Sequence, residues 1–433
     1  MRAAKQPRRP TAIRIVSDDA TRAEWQRLDN KVQRTVLVVV GTRPEVIKVA
    51  PVVRALEADE NLNVELCVVG QQGEILEQAL DEWGLVPDHR VEIPADDRRL
   101  AAVLGAMLPQ LADVIEAAAP QLLLVEGDTT TNLGASLAAF YAGVPVGHIE
   151  AGLRSGDVRQ PFPEEMHRVL VDRLASVHYA PTVGARQNLL DENHRNPADV
   201  LVVGNTVVDA LLMTLNEAPP RPTRATNERT LLVTAHRREN FGEGIESICA
   251  AVRQLCTERD DLKVVFVLHT NPQAFLPVRA LLGDLANVEL IPPQPYRSFV
   301  RLLARADIVL TDSGGIQEEA PYLGKPVIVT REVTERPEAS QAGAASVIGT
   351  DAPTIVRAVN ALLDDTIMHA AMSRRIAPYG DGHAAARIHR DIAQRLAPRD
   401  AAQDAERGAA RSDPEAEEAL RPAADALGTE MAS

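Results

Sequence analysis

The chain has 433 residues, 45% of them hydrophobic, and a formal net charge of -15 at pH 7. A chain of this length buries a large core, and at roughly 150 residues per domain it allows two or three domains. The acidic balance argues against a general nucleic-acid or membrane-surface binder, because both need basic faces. A small anionic ligand, held by local arginine and histidine side chains, stays possible.

The cysteines and the two chain ends limit the cellular location and the extent of the folded part. Cys67, Cys249 and Cys256 have no CxxC pattern, which predicts buried thiols in a reducing cytoplasm and no metal site. No run reaches the ~18 apolar residues of a membrane span, and no apolar signal-peptide core is seen, so we expect a soluble cytoplasmic protein. Residues 1–33 are predicted to be a loose extension and residues 398–433 a disordered acidic tail.

The first predicted element is TVLVVV at residues 35–40, a run too short for a helix and rich in β-branched residues, which predicts a buried parallel strand. A helix is predicted next, because Gly41 makes a turn, Pro44 suits the first helical turn and apolar residues recur at helical spacing. This βα unit lacks the GxGxxG dinucleotide fingerprint. Arg43 and Lys48 instead place cations near the strand's carboxyl end, where open α/β sheets bind ligands. The alternative is that both cations are only solvated.

Further apolar runs alternate with helical patterns along the whole chain. Strands are predicted at residues 64–69, 121–125, 144–149 and 177–180, and then at LLVTAH, VVFVLH, VELIPP, DIVLTD, PVIVT and SVIGTD. Alternating strands and helices predict parallel sheets covered on both faces. The sequence therefore predicts an α/β protein with two doubly wound halves, joined around residues 204–229.

The segment TDSGGIQEEA, residues 311–320, predicts the end of a strand, a tight turn and the start of a helix. Gly314 and Gly315 let a ligand approach the backbone closely. The free N–H groups and dipole of the new helix favour an anion there, most naturally a phosphate group. A purely geometric role for the two glycines is the alternative.

Acidic residues follow several strands of the first half. Asp128 in EGDTTT, Glu150 in HIEAGLRSGD and Glu164 in PFPEEMHR are predicted to form a carboxylate group in a cleft between the halves, with Glu319 facing them. Such a group suits proton transfer to opposite faces of a substrate. Three of the four have a simpler alternative: Asp128 caps the helix opening at Thr129, and Glu164 and Glu319 complement helix N-termini.

His236 begins the second half beside Arg237 and Arg238, and we predict that it contacts the ligand and helps to neutralise a diphosphate. A structural histidine is the usual alternative. No nucleophile elbow with a Ser-His-Asp order occurs, and His269 has no HExxH spacing to another histidine. The sequence therefore predicts no metal, no cofactor and no covalent serine.

Taken in order, GTRPE, GDTTT, HIEAGLRSGD, PFPEE, GNT, TAHRREN, TDSGGIQEEA, GKPV and TERPE closely resemble the motifs of the non-hydrolysing UDP-N-acetylglucosamine 2-epimerases, over about residues 36–395. The resemblance implies a GT-B-like α/β fold, with two Rossmann-like doubly wound domains and the active site in the cleft between them. Residues 34–205 would carry the acid/base carboxylates and residues 206–383 would bind UDP. A C-terminal helix, 384–397, would cross back to the first domain.

The family interconverts UDP-GlcNAc and UDP-ManNAc. UDP is eliminated to give a bound 2-acetamidoglucal and is then returned while a proton is added to C2 on the opposite face. The resemblance implies these two nucleotide sugars as partners, a homodimer, and a part in cell-envelope polysaccharide biosynthesis. The sequence does not say which pathway uses the product.

The resemblance also implies roles for individual residues. Asp128, Glu150 and Glu164 match the acid/base carboxylates, and His236 matches the essential histidine. The implied nucleotide and diphosphate contacts are Arg43, Lys48, Ser313, Gly314, Gly315, Glu319 and Arg336, and the implied uracil contacts are Gln294 and Phe299. Among these, the carboxylate of Glu319 is expected to accept hydrogen bonds from the ribose hydroxyls.

One segment departs from the family pattern. Many bacterial relatives have Gln-His-Arg after the second strand, next to an activating UDP-GlcNAc molecule, whereas this chain has Gln71, Gln72 and Gly73. The loss of the His and Arg puts such activation in doubt, although Gln71 and His269 keep the implied effector positions.

Four other functions stay open at this point. Two are close variants, a hydrolysing epimerase that releases UDP and an epimerase of diacetamido-uronate sugars. The others are a UDP-sugar sensor without turnover and a GT-B glycosyltransferase that needs an acceptor. GDTTT and PFPEE argue against the hydrolysing enzyme, and three intact carboxylates argue against a sensor.

Overall fold

The computed structural model describes residues 33–70, 73–94, 99–192, 196–216 and 228–397. The predicted extension before Gln33, the predicted acidic tail 398–433 and the implied effector residue Gln71 lie outside these described residues.

A seven-stranded parallel sheet carries the first half of the described chain. Its strands are β1 (Arg34–Val40), β2 (Leu62–Val69), β3 (His89–Val91), β4 (Leu122–Glu126), β5 (Val146–Ile149), β6 (Val177–Ala180) and β7 (Val200–Val202). Their order in space is β3-β2-β1-β4-β5-β6-β7. The helices of this half are α1 (Arg43–Glu57), α2 (Glu74–Trp83), α3 (Leu100–Ala118), α4 (Thr130–Tyr141), α5 (Glu164–Leu174) and α6 (Val183–Asp191).

A six-stranded parallel sheet carries the second half. Its strands are β8 (Arg229–Thr234), β9 (Leu262–Val267), β10 (Val288–Ile291), β11 (Ile308–Thr311), β12 (Val327–Val329) and β13 (Ala345–Val347), in the order β10-β9-β8-β11-β12-β13. The remaining helices are α7 (Thr206–Asn216), α8 (Glu243–Glu258), α9 (Pro272–Leu282), α10 (Tyr296–Arg305), α11 (Gly314–Tyr322), α12 (Pro337–Gln341), α13 (Ala352–Asp364), α14 (Thr366–Met372) and α15 (Ala384–Leu396).

The strands next to the sheet centres are almost wholly apolar because helices cover both of their faces. In β8, Leu231 and Val233 pack into the core on one side of the sheet, and Leu232 packs into the core on the other. This alternation is the two-residue period of a strand. The predicted α/β class with two parallel sheets is confirmed by this topology.

The first βα turn is fixed by its own sequence. Thr42 precedes α1, and the carboxylate of Glu45 accepts hydrogen bonds from the backbone N–H groups of Gly41 and Thr42. This capping gives partners to two backbone N–H groups just before the helix. The turn therefore delivers Arg43 and Lys48 to the carboxyl end of β1.

Two helices connect the halves. Helix α7 packs against α1 from the first half and against α10 and α11 from the second. The carboxylate of Asp209 on α7 accepts hydrogen bonds from the N–H groups of Ala384 and Ala385, which open α15. On α15, Asp391 accepts a hydrogen bond from the hydroxyl of Tyr179 on β6. This contact supports the implied return of the last helix to the first half, although the exact domain bounds stay a prediction.

Helix α3 qualifies the expectation that no segment resembles a membrane span. Among the described residues it alone is long and apolar enough to cross a membrane, by length and composition only. Only 17% of its apolar stretch is buried, but Met107, Leu111 and Ile115 of α3 are buried in the core of the first half. We therefore interpret α3 as a helix that covers the first sheet.

Candidate active site

The sheet order brings the predicted functional residues to the carboxyl ends of neighbouring strands. In the first sheet β4 lies between β1 and β5, so helix α1, which carries Lys48, and the turns that carry Asp128 and Glu150 follow adjacent strands. In the second sheet β8 pairs with β11, which brings His236 beside the turn at Ser313. These edges are where open parallel sheets hold their ligands.

Glu150 is the most tightly held of the candidate carboxylates. Its side chain lies 2.5 Å from Nζ of Lys48 and 3.2 Å from Nη2 of Arg336, and it accepts a hydrogen bond of 2.7 Å from Nδ2 of Asn205. Burial alone would raise the pKa of Glu150, but the two cations and these hydrogen bonds lower it to about 2. The backbone of Glu150 has a φ of 64°, a left-handed conformation that costs about 1–3 kcal/mol in a non-glycine residue.

Lys48 has a second carboxylate partner, Glu126, at the end of β4. Their charged atoms lie 2.9 Å apart, and the side chain of Glu126 is almost fully buried. Burial lowers the pKa of Lys48, but Glu126 and Glu150 outweigh it and raise that pKa above its ordinary value. Burial raises the pKa of Glu126 well above the usual range, with Lys48 opposing it. Lys48 therefore stays charged, and Glu150 is the better ionised of its two partners.

Arg336 brings a second cation to Glu150 from the other half of the molecule. It pairs with Glu318 on α11 at 2.5 Å and with its neighbour Glu335. Burial raises the pKa of Glu318 to about 7, whereas Arg336 and Arg331 overcome burial and hold the pKa of Glu335 below its usual range. The guanidinium is thus fixed among carboxylates and keeps its charge inside the protein.

Asp128 and Glu164 form a second group. Oδ2 of Asp128 lies 2.5 Å from Nη2 of Arg168, and the Asp128 carbonyl accepts a hydrogen bond of 3.1 Å from Nδ1 of His167. Glu164 opens α5, is half-buried and adds its charge beside His167. The side chain that caps α4 is Thr129, which accepts a hydrogen bond from the N–H of Asn132, so the capping alternative for Asp128 was wrong.

The turn after β11 has the geometry expected of an anion site. Ser313 is the N-cap residue of α11, its N–H donates to Oγ1 of Thr311, and its hydroxyl makes no capping hydrogen bond. A Cβ on Gly314 would lie 2.6 Å from Nη1 of Arg336, so only glycine allows the guanidinium this close. A Cβ on Gly315 would meet no atom nearer than 4.0 Å.

His236 is fixed by Asp312, whose carboxylate accepts hydrogen bonds from the N–H groups of His236 and Arg237 at 2.8 and 2.9 Å. Nδ1 of His236 lies 3.3 Å from the same carboxylate. The ring stacks on that of His269 with a centroid distance of 5.5 Å. Burial lowers the pKa of His236, Asp312 opposes this, and the ring is favoured in its neutral form.

The implied nucleoside contacts lie along α10 and α11. Glu319 accepts a 2.5 Å hydrogen bond from the Tyr296 hydroxyl, and burial raises its pKa to about 7. The carbonyl of Gln294 accepts a hydrogen bond from the guanidinium of Arg43, which comes from the first half. Phe299 is partly buried against the second-half core.

The predicted site residues therefore form separate groups of contacting side chains, and the three predicted carboxylates do not all lie in one group. Lys48, Glu150 and Arg336 form one ion-paired group, and Asp128 and Glu164 meet around His167. Glu319 bonds to Tyr296, and the charge of Lys48 also acts on it. Within the described part of the chain, no group of three or more His, Cys, Asp or Glu side chains is arranged to hold a metal ion.

Sequence reasoning missed several partners of these residues. They are Glu126, Arg168, Asn205, Tyr296, Asp312, Glu318 and Glu335. Most stand inside or next to the motifs that carried the prediction, so proximity in sequence was the signal available. It could not show which of two adjacent acids, Glu318 or Glu319, meets Arg336.

The arrangement combines an ionised buried carboxylate, two fixed cations and an anion turn. A carboxylate can take or return a proton. Cations and free N–H groups aimed at one place stabilise negative charge that develops on a leaving phosphate. The site is thus built for proton transfer coupled to departure of a phosphorylated group.

The family model for UDP-N-acetylglucosamine 2-epimerase matches residues 54–393. A probable UDP-N-acetylglucosamine 2-epimerase of Ralstonia solanacearum is 46% identical over 371 residues, which cover 83% of this chain and 98% of that protein. The UDP-N-acetylglucosamine 2-epimerase of Escherichia coli K12 is 46% identical over 364 residues, or 82% and 96% of the two chains.

The fold has solved counterparts as well. The crystal structure of UDP-GlcNAc 2-epimerase from Neisseria meningitidis bound to UDP-GlcNAc matches with a TM-score of 0.80 at 40% identity, and covers 83% of this chain and 100% of that one. The expected GT-B-like pairing of two Rossmann-like halves is confirmed by this likeness together with the two parallel sheets. By its family model, its relatives and its motifs, the chain belongs to the UDP-N-acetylglucosamine 2-epimerase family.

Proposed function

We propose that this protein reversibly epimerises UDP-N-acetylglucosamine at C2 to UDP-N-acetylmannosamine. The observation that carries the proposal is the buried carboxylate of Glu150, held between Lys48 of the first half and Arg336 of the second. Such a group unites a proton acceptor with the charges that a departing diphosphate needs. Membership of the epimerase family supports the same substrate.

The chemistry explains why these charges are needed. No carbonyl is conjugated to C2 of the sugar, so its proton is not acidic, and departure of UDP must accompany its loss. The C1–O bond breaks with its electron pair leaving on UDP, the C2 proton passes to a carboxylate, and a C1–C2 double bond forms. Return of UDP to C1 and of a proton to the opposite face of C2 gives the epimer.

Two groups of acids support this two-faced exchange. Glu150 lies with Lys48 and Arg336, whereas Asp128 and Glu164 lie around His167. We assign these three carboxylates together to the acid/base steps, without dividing them between the faces. His236 lies beside the anion turn and would meet the departing diphosphate.

The second half would bind the nucleotide. The N–H groups of Gly314 and Gly315, in the first turn of α11, would hold the diphosphate together with the hydroxyl of Ser313, which makes no capping hydrogen bond, and with the cations Arg43, Lys48 and Arg336. Glu319 would accept hydrogen bonds from the ribose, and Gln294 and Phe299 would contact the uracil. His269 stacks on His236, so an effector at that position would lie next to the active site.

We also propose that the protein is a homodimer. Phe140 and Tyr141 at the end of α4 are 60% and 75% exposed, and Tyr141 borders a groove of about 600 Å³ with Leu108 and Ala112 of α3. Exposed aromatic residues beside an apolar helix are typical of protein interfaces. Light scattering of the wild type and of Tyr141→Glu tests this, since the variant should be monomeric; a wild-type monomer would refute it.

A cytoplasmic location and a part in cell-envelope polysaccharide synthesis complete the proposal. The free thiols Cys67, Cys249 and Cys256 are buried and unpaired with one another, which suits a reducing compartment.

One NMR time course tests the reaction. The purified protein is given UDP-GlcNAc in deuterated water, and we expect UDP-ManNAc to appear with deuterium at C2. Retention of the C2 hydrogen in the product would refute the elimination. Free UDP released with each turnover would indicate the hydrolysing enzyme, and UDP binding without any product would indicate a sensor.

A further inference from the structure

The first turn of α10 is capped by a residue from the other half of the molecule. Oε2 of Glu82, on α2, accepts a 2.9 Å hydrogen bond from the N–H of Tyr296, and Oε1 accepts a 2.6 Å hydrogen bond from the N–H of Arg297. The N-cap position of α10 is Pro295, which has no side-chain acceptor of its own. A carboxylate that takes two helix N–H groups satisfies free donors and complements the helix dipole.

Further contacts at the same place join α2 to α10. The guanidinium of Arg297 donates to the carbonyl of Glu82 at 3.2 Å. The rings of Trp83 and Tyr296 lie 6.0 Å apart, and the guanidinium of Arg54 lies 5.6 Å above the Trp83 ring. The end of α2 therefore meets α10 through its carboxylate, its backbone and an aromatic ring.

This contact leads directly into the proposed nucleotide site. The hydroxyl of Tyr296 donates to Oε1 of Glu319, the proposed ribose ligand, and both residues are buried. Gln294 and Phe299, the proposed uracil contacts, lie two residues before and three residues after Tyr296. The chain segment that would hold the nucleoside is thus the one that Glu82 fixes from the first half.

We propose that Glu82 is a positioning residue that ties the nucleoside-binding wall to the acid/base half and keeps UDP and the glucal together between the two chemical steps. The proposal rests on the elimination and re-addition described above. After elimination, two separate molecules occupy the site, and re-addition needs both in place. A looser joint between α2 and α10 would let them leave before the second step.

This role predicts a change in partitioning that general loss of stability does not produce. A partly unfolded enzyme makes less of everything, but each folded molecule divides its turnovers as before. Loss of a positioning contact instead raises the share of turnovers that end as free UDP and free 2-acetamidoglucal. The ratio of free glucal to UDP-ManNAc at initial rate is therefore the decisive quantity.

The test compares full-length wild type with Glu82→Ala and Glu82→Gln in the deuterated-water NMR assay. Asp81→Ala is the matched control, because Asp81 is the exposed acidic neighbour on the same helix. We expect Glu82→Ala to raise the glucal-to-UDP-ManNAc ratio by at least about fivefold, as the loss of a helix cap suggests. Glu82→Gln keeps one acceptor oxygen and should give a ratio between those of the wild type and Glu82→Ala. Asp81→Ala should give the wild-type ratio.

An unchanged ratio in Glu82→Ala, or an equal rise in Asp81→Ala, would overturn the proposal. Calorimetry with UDP separates this failure from failure of the proposed reaction. If the wild type makes no epimer, the proposed function fails, and the role of Glu82 is then decided by UDP affinity alone. Weaker binding in Glu82→Ala than in Asp81→Ala would support positioning, and equal binding would refute it.

Discussion

The candidate carboxylates at the edge of the first sheet are held by cationic side chains, whereas the candidate diphosphate turn of the second sheet is held by backbone groups. Glu150 meets Lys48 and Arg336, and Asp128 meets Arg168. In the second half the carboxylate of Asp312 fixes the turn at His236 through backbone N–H groups. Ion pairs set the proton affinity of an acid, while backbone N–H donors stabilise the negative charge of a bound phosphate group.

This difference predicts two kinds of variant. Changes to the first-half acids should reduce turnover far more than UDP affinity. Changes to the second-half turn and to Glu319 should weaken UDP binding. The turnover rate at saturating substrate should fall less in these variants than in the first-half variants. Arg336 belongs to both, because it lies against Gly314 and pairs with Glu150.

Glu150→Gln should have the largest effect on turnover. Glutamine keeps an oxygen that can accept a hydrogen bond from Lys48 but cannot take up a proton, so we expect the rate to fall by about 10²–10⁴-fold. UDP affinity should change by only a few-fold. Initial rates by NMR and calorimetry with UDP measure the two quantities, with Glu57→Gln, at an exposed position on α1, as the control. A rate within tenfold of wild type would remove Glu150 from the chemistry.

Lys48→Met should lower both activity and stability. The variant leaves Glu126 and Glu150 without their shared cation, and loss of one partner from a buried ion pair costs about 3–5 kcal/mol. The lowered pKa of Glu150 adds stability above its unfolded pKa near 4.5, and this stability is lost as the pH falls toward about 2. The stability gap between wild type and variant should therefore be wide at neutral pH and should narrow in acid.

Urea unfolding at about pH 6 and about pH 3 measures this gap. Lys263, a half-buried residue that pairs with Glu289 at 2.9 Å through a side chain that is 41% exposed, provides Lys263→Met as a control with little expected effect. If the gap for Lys48→Met were the same at both pH values, the ion pair with Glu150 would not be its source.

The fold was largely accessible to sequence reasoning where local patterns are strong. The predicted strands at residues 35–40 and 121–125 match β1 and β4, because central parallel strands are continuous apolar runs. The edge strands β3, with sequence HRV, and β7, with sequence VLV, were missed. Each has three residues and pairs on one side only, so too few residues show a pattern.

The candidate site could be predicted from the sequence only in part. Strand ends and motifs identify Lys48, Asp128 and Glu150, because parallel strands bring their carboxyl ends to one edge. The contacts between the halves, such as Glu82 with Tyr296 or Arg43 with Gln294, join residues more than 200 positions apart. No local pattern specifies such pairs, since they depend on how both halves pack.

Glu319→Gln tests the second half. A carboxylate accepts hydrogen bonds from ribose better than an amide does, so we expect UDP binding to weaken by about 10–100-fold at pH 8. The pKa of Glu319 is raised to about 7 by burial, so wild-type affinity should fall as the pH drops through that value and the carboxylate takes up a proton. The variant lacks this titration. Protonation of UDP itself affects both proteins alike and cancels in their ratio, so a pH-independent ratio would argue against Glu319 as a ribose ligand.

Gly314→Ala and Gly315→Ala should have the smallest effects. They make a well-controlled pair, because the two glycines are adjacent in sequence but have different surroundings. The methyl group of Gly314→Ala would lie 2.6 Å from the Arg336 guanidinium and must displace it, whereas the nearest atom to that of Gly315→Ala lies 4.0 Å away. We expect UDP affinity to fall about fivefold or more for Gly314→Ala, as for a weakened charge-assisted contact, and less for Gly315→Ala. Because Arg336 also holds Glu150, Gly314→Ala should in addition lower turnover at saturating substrate. Calorimetry and initial rates on both variants decide this, and equal losses would mean that the turn needs glycine for ligand access alone.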